Sequence, residues 1–246
     1  MRKSYEFFLL YNKEMFFNKF AYLYTLAVPL VIILLNHFDW FKDSPTWTVF
    51  QSAMIQFFAI MIVLTAINGI GISLLNQRES GFLKMYTFLS GQKFPVIFGR
   101  LMSQWFFLSL NMFAASLMMA VLFHQPLLKT MLMTGLLALI VPLPVFACSL
   151  LIAALPLKPE TMTPLGTILI FAVFIFIDVF ELTDNRLLAY FSFLNPANLI
   201  LNEARFLTGS VSDGMMGLSI LTGIMVYLVV GYVAYQRLSI TSKTNR

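Results

Sequence analysis

The stretch "NQRESGFLKMYTFLSGQKFP", residues 76–95, lies between two long apolar runs and decides how the chain is read. The runs, 49–75 and 101–123, each exceed the about 20 apolar residues that carry a helix across a hydrocarbon core. Within the stretch, Phe82, Leu83, Tyr86 and Leu89 recur at helical spacing, with Lys84 and Thr87 away from them. Glu79 suits the start of such a helix, where the positive end of the macrodipole favours a carboxylate. Gly91 suits its end, because glycine takes the left-handed conformation without steric cost, and Pro95 can occupy the first turn of the next span. The spacing therefore predicts a short amphipathic helix between two spans. It either lies on the lipid surface or fits a groove on a partner protein.

The rest of the chain agrees with a membrane protein. Of its 246 residues, 59% are hydrophobic and 11% charged, and the mean hydropathy is +0.84, far outside the soluble range. The formal charge of +5 is scattered among apolar runs with no basic stripe, so nucleic acid is not an expected partner. Six spans are expected, at 20–38, 49–75, 101–123, 131–155, 165–180 and 215–235. Alternate loops divide the cations twelve to four, the twelve including Arg2, Lys3, Arg78, Lys84, Lys93, Arg100, Lys158 and Arg237. Cations stay on the cytoplasmic side, which predicts cytoplasmic termini. The chain reads as one all-helical transmembrane domain, 1–246, with no cleavable leader.

Local features refine this layout. Residues 1–19 are expected to form an interfacial helix with Tyr5, Phe8, Leu9, Phe16 and Phe20 on one face, a wheel that Phe7, Leu10 and Asn12 interrupt. Trp40 and Trp47 are expected at the outer interface and Trp105 at the inner one. Residues 156–163 form a second cytoplasmic loop. The region 181–214 is too apolar for a solvated loop and is broken at Asn195-Pro196, so an external re-entrant hairpin is expected there, with an interfacial helix and ordinary loop as the alternative. Pro29, Pro142 and Pro144 are expected to kink their spans.

No catalytic chemistry is legible. Leu89-Ser90-Gly91-Gln92 is one glycine short of the LSGGQ signature of ATP-binding-cassette ATPases, but the chain has no GxxxxGK[ST] phosphate loop. His37 and His124 lack partners at ligand spacing, so no metal is expected, and neither a GxSxG elbow nor an HExxH pair occurs. Asp178, Glu181 and Asp184 share a helical face and read as an outer rim. The hydrocarbon portions of the six spans contain no Asp, Glu, Lys or Arg, which disfavours a proton-coupled carrier. Their polar groups are uncharged: Gln56 and Asn68 in the second span, Gln104 and Asn111 in the third. These either join helices by amide hydrogen bonds or line a substrate path, and Gly69 and Ser73 make a small-residue ridge for helix packing.

Taken in order, the N-terminal helix, six spans, the loop "RESGFLKMY", the short loop "LPLKPETM" and the external "FLNP" resemble the permeases of type-2 ATP-binding-cassette exporters. Within that family, the chain is similar to the permeases that export staphylococcal phenol-soluble modulins. The resemblance covers the whole chain in layout. It implies a bacterial cell-membrane protein that is no enzyme itself, with ATP and Mg in a separate ATPase subunit. It also implies a second permease, identical or related, with a substrate route between the two. The segment from Arg78 to Gly91 would be the coupling helix, with Glu79 and Gly81 matching the family's acid and glycine. Arg78, Phe82, Lys84, Tyr86 and Leu89, with Lys158 and Glu160 from the second loop, would complete the ATPase-facing set. Ser80 departs from the glycine-threonine pair that many relatives carry after the acid. The abundance of Phe, 26, and Met, 15, suits an apolar route for an amphipathic peptide, toxin or drug. A sodium-coupled or facilitative carrier working alone is the alternative.

Overall fold

A computed structural model describes residues 2–17, 27, 30–31, 34–177, 190–210 and 214–242. Among them the chain is helical, with no strand. We number the helices α1 (Arg2–Phe17), α2 (Trp47–Glu79), α3 (Phe82–Ser90), α4 (Lys93–Leu122), α5 (Leu127–Ile140), α6 (Pro142–Ala154), α7 (Pro159–Ile175), α8 (Pro196–Leu207) and α9 (Gly214–Arg237).

Four units are long and apolar enough to cross a membrane: α2, α4, α5 with α6, and α9. The expected first span lies largely outside the described residues, and so does the outer end of the fifth, whose remainder is the 17-residue α7. Pro29, Asp178, Glu181 and Asp184 also lie outside them. The second and third spans run further than their apolar cores, to Glu79 and from Lys93. At 1.5 Å per residue the 30 residues of α4 extend roughly 45 Å, longer than a hydrocarbon core of about 30 Å. Pro95 sits in the first turn of α4, as expected. The fourth span breaks at Val141-Pro142, where proline lacks the amide proton that would continue α5.

The core forms where small residues let helices approach. Gly231 of α9 crosses α6 so closely that a Cβ there would lie 2.6 Å from the carbonyl carbon of Ala147. Gly69 on α2 faces the Gln104 amide of α4, and Gly71 faces Ile152 of α6. The ridge foreseen at Gly69 and Ser73 is thus where α4 docks. Around it, Thr65–Ile72 of α2 forms a π-helical stretch, and the Gly69 carbonyl accepts from Arg100 Nε at 3.2 Å. Gly231→Val is expected to cost about 1–3 kcal/mol, because backbone cannot yield as a flexible side chain does. A lower thermal midpoint of the detergent-solubilised chain checks this, and an unchanged one contradicts the contact.

Trp105, expected at the inner interface, has a partner within the bundle. Its indole donates to the Ala138 carbonyl at 2.8 Å and so ties α4 to α5. At the far end of the molecule, Tyr190 bonds to Thr222 and Ser219, while Leu194 accepts from the Tyr227 hydroxyl. Residues 190–194 therefore follow α9 over roughly 12 Å. Asn195 then caps α8, its Oδ1 accepting from the Ala197 amide at 2.9 Å, with Pro196 in the first turn. α8 leads back to Ser210, which accepts from Gln51 near the start of α2 at 3.0 Å.

Candidate functional site

The loop of residues 76–95 folds into a compact corner at the basic end of the bundle. Helix α2 runs on through Glu79, which therefore ends a helix and does not begin one. Gly81, at φ +82°, makes the turn into α3, and Gly91, at φ +78°, stops it, its amide donating to the Thr87 carbonyl at 2.8 Å. The expected start at Glu79 gives way because its carboxylate is held elsewhere. Arg78 Nε donates to Glu79 Oε1 at 2.7 Å.

Arg78 is completely buried. Its other guanidinium nitrogens donate to the Ala153 carbonyl at 2.6 Å and the Leu155 carbonyl at 2.8 Å, the free carbonyl end of α6. The planar fork of donors lets one side chain bind a carboxylate and two carbonyls together. Ser242, beyond α9, donates to Glu79 Oε2 at 2.5 Å. One ion pair thus joins the end of α2, the end of α6 and the C-terminal tail.

The N-terminal helix clamps the corner from the other side. Lys3 Nζ donates to the Ser90 carbonyl at 2.7 Å, a cation placed at the negative end of α3. The ring of Tyr86 meets Phe7 edge-on at 5.7 Å and Tyr11 at 6.3 Å. Burial pushes the Tyr11 hydroxyl well above its ordinary value, so it stays protonated and donates to Gln77 Oε1 at 3.2 Å. Arg100 pairs with Glu14 at 3.3 Å, bonds Ser73 Oγ and lies over the Tyr11 ring. Asn12 accepts from Ser103 Oγ at 2.7 Å. Phe7 and Asn12, which interrupt the expected lipid-facing wheel, belong to a second face that packs on α4, while Tyr5, Leu9 and Phe16 remain exposed. Lys93 completes the ring by donating to the Tyr235 carbonyl at 2.7 Å, at the end of α9.

The expected ATPase-facing residues consequently divide. Arg78 and Glu79 point inward. Tyr86 is half-buried, and Leu83 and Ser90 are buried. Phe82, Lys84 and Leu89 are exposed, as are Gly81, Lys158 and Glu160. Phe88 and Met85, not singled out by the wheel, join Phe82 and Leu89 on the outward side, Phe88 at 72% and Leu89 at 73% exposure. The outward face of α3 is apolar, and its inward face is wedged against α1 and α4. Lys3, Tyr11 and Ser242 are further contributors that the local pattern did not mark, because each acts across more than sixty residues of chain.

The residues of the expected substrate path also separate. Gln56 and Asn68 are exposed on α2, in a stripe with Ser52 and Asn76. Gln104 and Asn111 are buried, and Gln104 Nε2 faces Met15 Sδ at 3.6 Å. No group of three or more metal-ligating side chains occurs among the described residues. Ser242→Ala is expected to remove a charge-assisted bond of about 1.5–3 kcal/mol and speed hydrogen exchange over residues 78–91. Unchanged exchange there contradicts a tail that secures the corner.

Comparison of the chain with protein-family models, with curated proteins and with solved structures finds no match.

Proposed function

We propose that this chain is the permease of an ATP-driven exporter, which receives the motion of a separate ATPase at α3 and passes it to the ends of the spans. The observation that carries this reading is the corner itself: a short helix bounded by two left-handed glycines, apolar outward, and tied by Arg78, Glu79, Lys3 and Lys93 to α1, α4, α6 and α9. A helix that merely rested on lipid would have no need of this buried ionic bracing. A groove in a partner that took Phe82, Met85, Phe88 and Leu89 would hold a lever rather than a tether. Lys158 and Glu160 lie beside the Leu155 end of the clamp and form the second contact.

In this reading the chain crosses a bacterial cell membrane six times, with both termini cytoplasmic. Residues 190–207 enter and leave the outer leaflet as a hairpin. A second permease, identical or related, covers the stripe of Ser52, Gln56, Asn68 and Asn76, whose amides and hydroxyl are poorly suited to lipid. The route between the two permeases carries an amphipathic peptide, toxin or drug, and ATP and Mg stay in the ATPase. The test is to co-express the chain with the stand-alone cassette ATPases of its host and purify through the permease. A stable complex whose ATP hydrolysis differs from that of the free ATPase supports the proposal. Absence of both binding and any change in hydrolysis rejects it.

A further inference from the structure

Helix α8 carries a carboxyl that the corner and its proposed function do not use. Glu203 is 3% exposed, on the same side of α8 as the buried Leu199, Ile200 and Ala204, and its Oε2 has no hydrogen-bond partner. The helix packs against α2, α9 and the turn at Phe191–Leu194, and more lightly against α5 and α7. Among the described residues, none of these elements brings a cation to it. The adjoining part of α2, Trp47–Leu64, has no titratable side chain. On α9, Tyr227 is engaged with the Leu194 carbonyl, Tyr232 and Tyr235 lie further along, and Arg237 is at the basic end. Lys129 of α5 lies over the Trp47 ring at 4.2 Å, and Glu160 of α7 is at the basic end. Tyr190, beside the turn, is bonded to Thr222. Arg205, two residues on along α8, lies about 200° around the helix from Glu203.

Among the described residues a carboxylate in such a place loses its hydration without gaining a compensating charge, so the neutral acid is favoured. We propose that Glu203 is a proton-binding residue that fastens α8 between α2 and α9: with the proton bound the helix stays packed, and with the proton lost it loosens. Burial alone pushes the carboxyl up to about 7, in keeping with this role. The inference stands on the packing of α8 and holds whatever the chain transports.

The direction follows from linkage. In the loosened state the carboxyl returns to its ordinary range, so loosening releases a proton between that range and about 7. Packing is then complete at low pH, is weakened about tenfold in its equilibrium for each pH unit across the window, and changes no further above it. Hydrogen exchange of the amides of residues 197–207, in the full chain in nanodiscs and corrected for intrinsic rates, reads this equilibrium. From pH 5 to pH 7.5 it is expected to rise roughly 60-fold. Glu203→Gln keeps the neutral shape and is expected to abolish the rise while retaining protection. Protection of the wild type that does not change with pH overturns the proposal, and so does a rise that survives in Glu203→Gln. If that variant does not fold, the infrared carbonyl band of a protonated carboxyl in the wild type at pH 6 decides: its presence supports the proposal and its absence overturns it.

Discussion

Arg78→Met is expected to cost about 3–5 kcal/mol of stability. The arginine is fully buried, and its removal leaves the Glu79 carboxylate in place without its cation and two carbonyls of the α6 end without donors. The cost arises from those stranded groups more than from the lost attraction. Arg78→Lys is expected to recover only part of it, because an ammonium on a flexible stem cannot present the same planar fork to a carboxylate and two carbonyls. Removing both charges, with Arg78→Met and Glu79→Gln together, is expected to be less damaging than Arg78→Met alone. Thermal unfolding of the solubilised variants measures all three. A midpoint for Arg78→Met equal to the wild type contradicts a structural clamp at this corner.

The second large effect separates docking from folding. Phe88→Glu with Leu89→Glu places two charges on side chains that are mostly exposed, so the permease itself is expected to keep its thermal midpoint. Against a partner groove the same change leaves charges in an apolar contact. At 2 kcal/mol or more for a central apolar anchor, affinity for the ATPase is expected to fall at least about thirtyfold. Binding of the purified variant to the ATPase checks this. Undiminished binding by a stable variant means that α3 is not the contact.

Much of this architecture was legible in the sequence because the bilayer imposes a simple length requirement on apolar runs. The runs that became α2, α4, α5 with α6, and α9 all meet it. The glycine that ends α3 was readable for a comparable reason, since Gly91 terminates a helix by a local rule, but the start was not, because Gly81 and not Glu79 turns the chain into α3. The orientation of α3 was not readable. Phe82, Leu83, Met85, Tyr86, Phe88 and Leu89 spread around the helix and leave Lys84 and Thr87 only a narrow polar side, so spacing alone could not tell the face wedged against Tyr11 from the face left outward. The N-terminal helix is ambiguous in the same way: Phe7 and Asn12 interrupt a lipid-facing wheel and are the residues that meet Tyr86 and Ser103.

Charges were harder still. Arg78 reads as a loop cation because its partners on α6 lie about 75 residues away in the chain, and only the fold brings them together. Glu203 reads as an outer-loop acid for the same reason, although the helix around it turns it inward. A charged residue near the end of an apolar span is thus ambiguous until the neighbouring helix ends are placed. In this chain the ambiguity matters, because Arg78 supports the candidate coupling surface from within while Phe88 and Leu89 form it.

The central claim is that this chain moves its substrate on the strength of another protein's ATP hydrolysis. The direct measurement is transport of a fluorescent amphipathic peptide in proteoliposomes that hold the permease with its ATPase. Movement that requires both chains and ATP, and that Phe88→Glu with Leu89→Glu abolishes, is the expected result. Equal movement by the permease alone, down a sodium or substrate gradient without ATP, contradicts it.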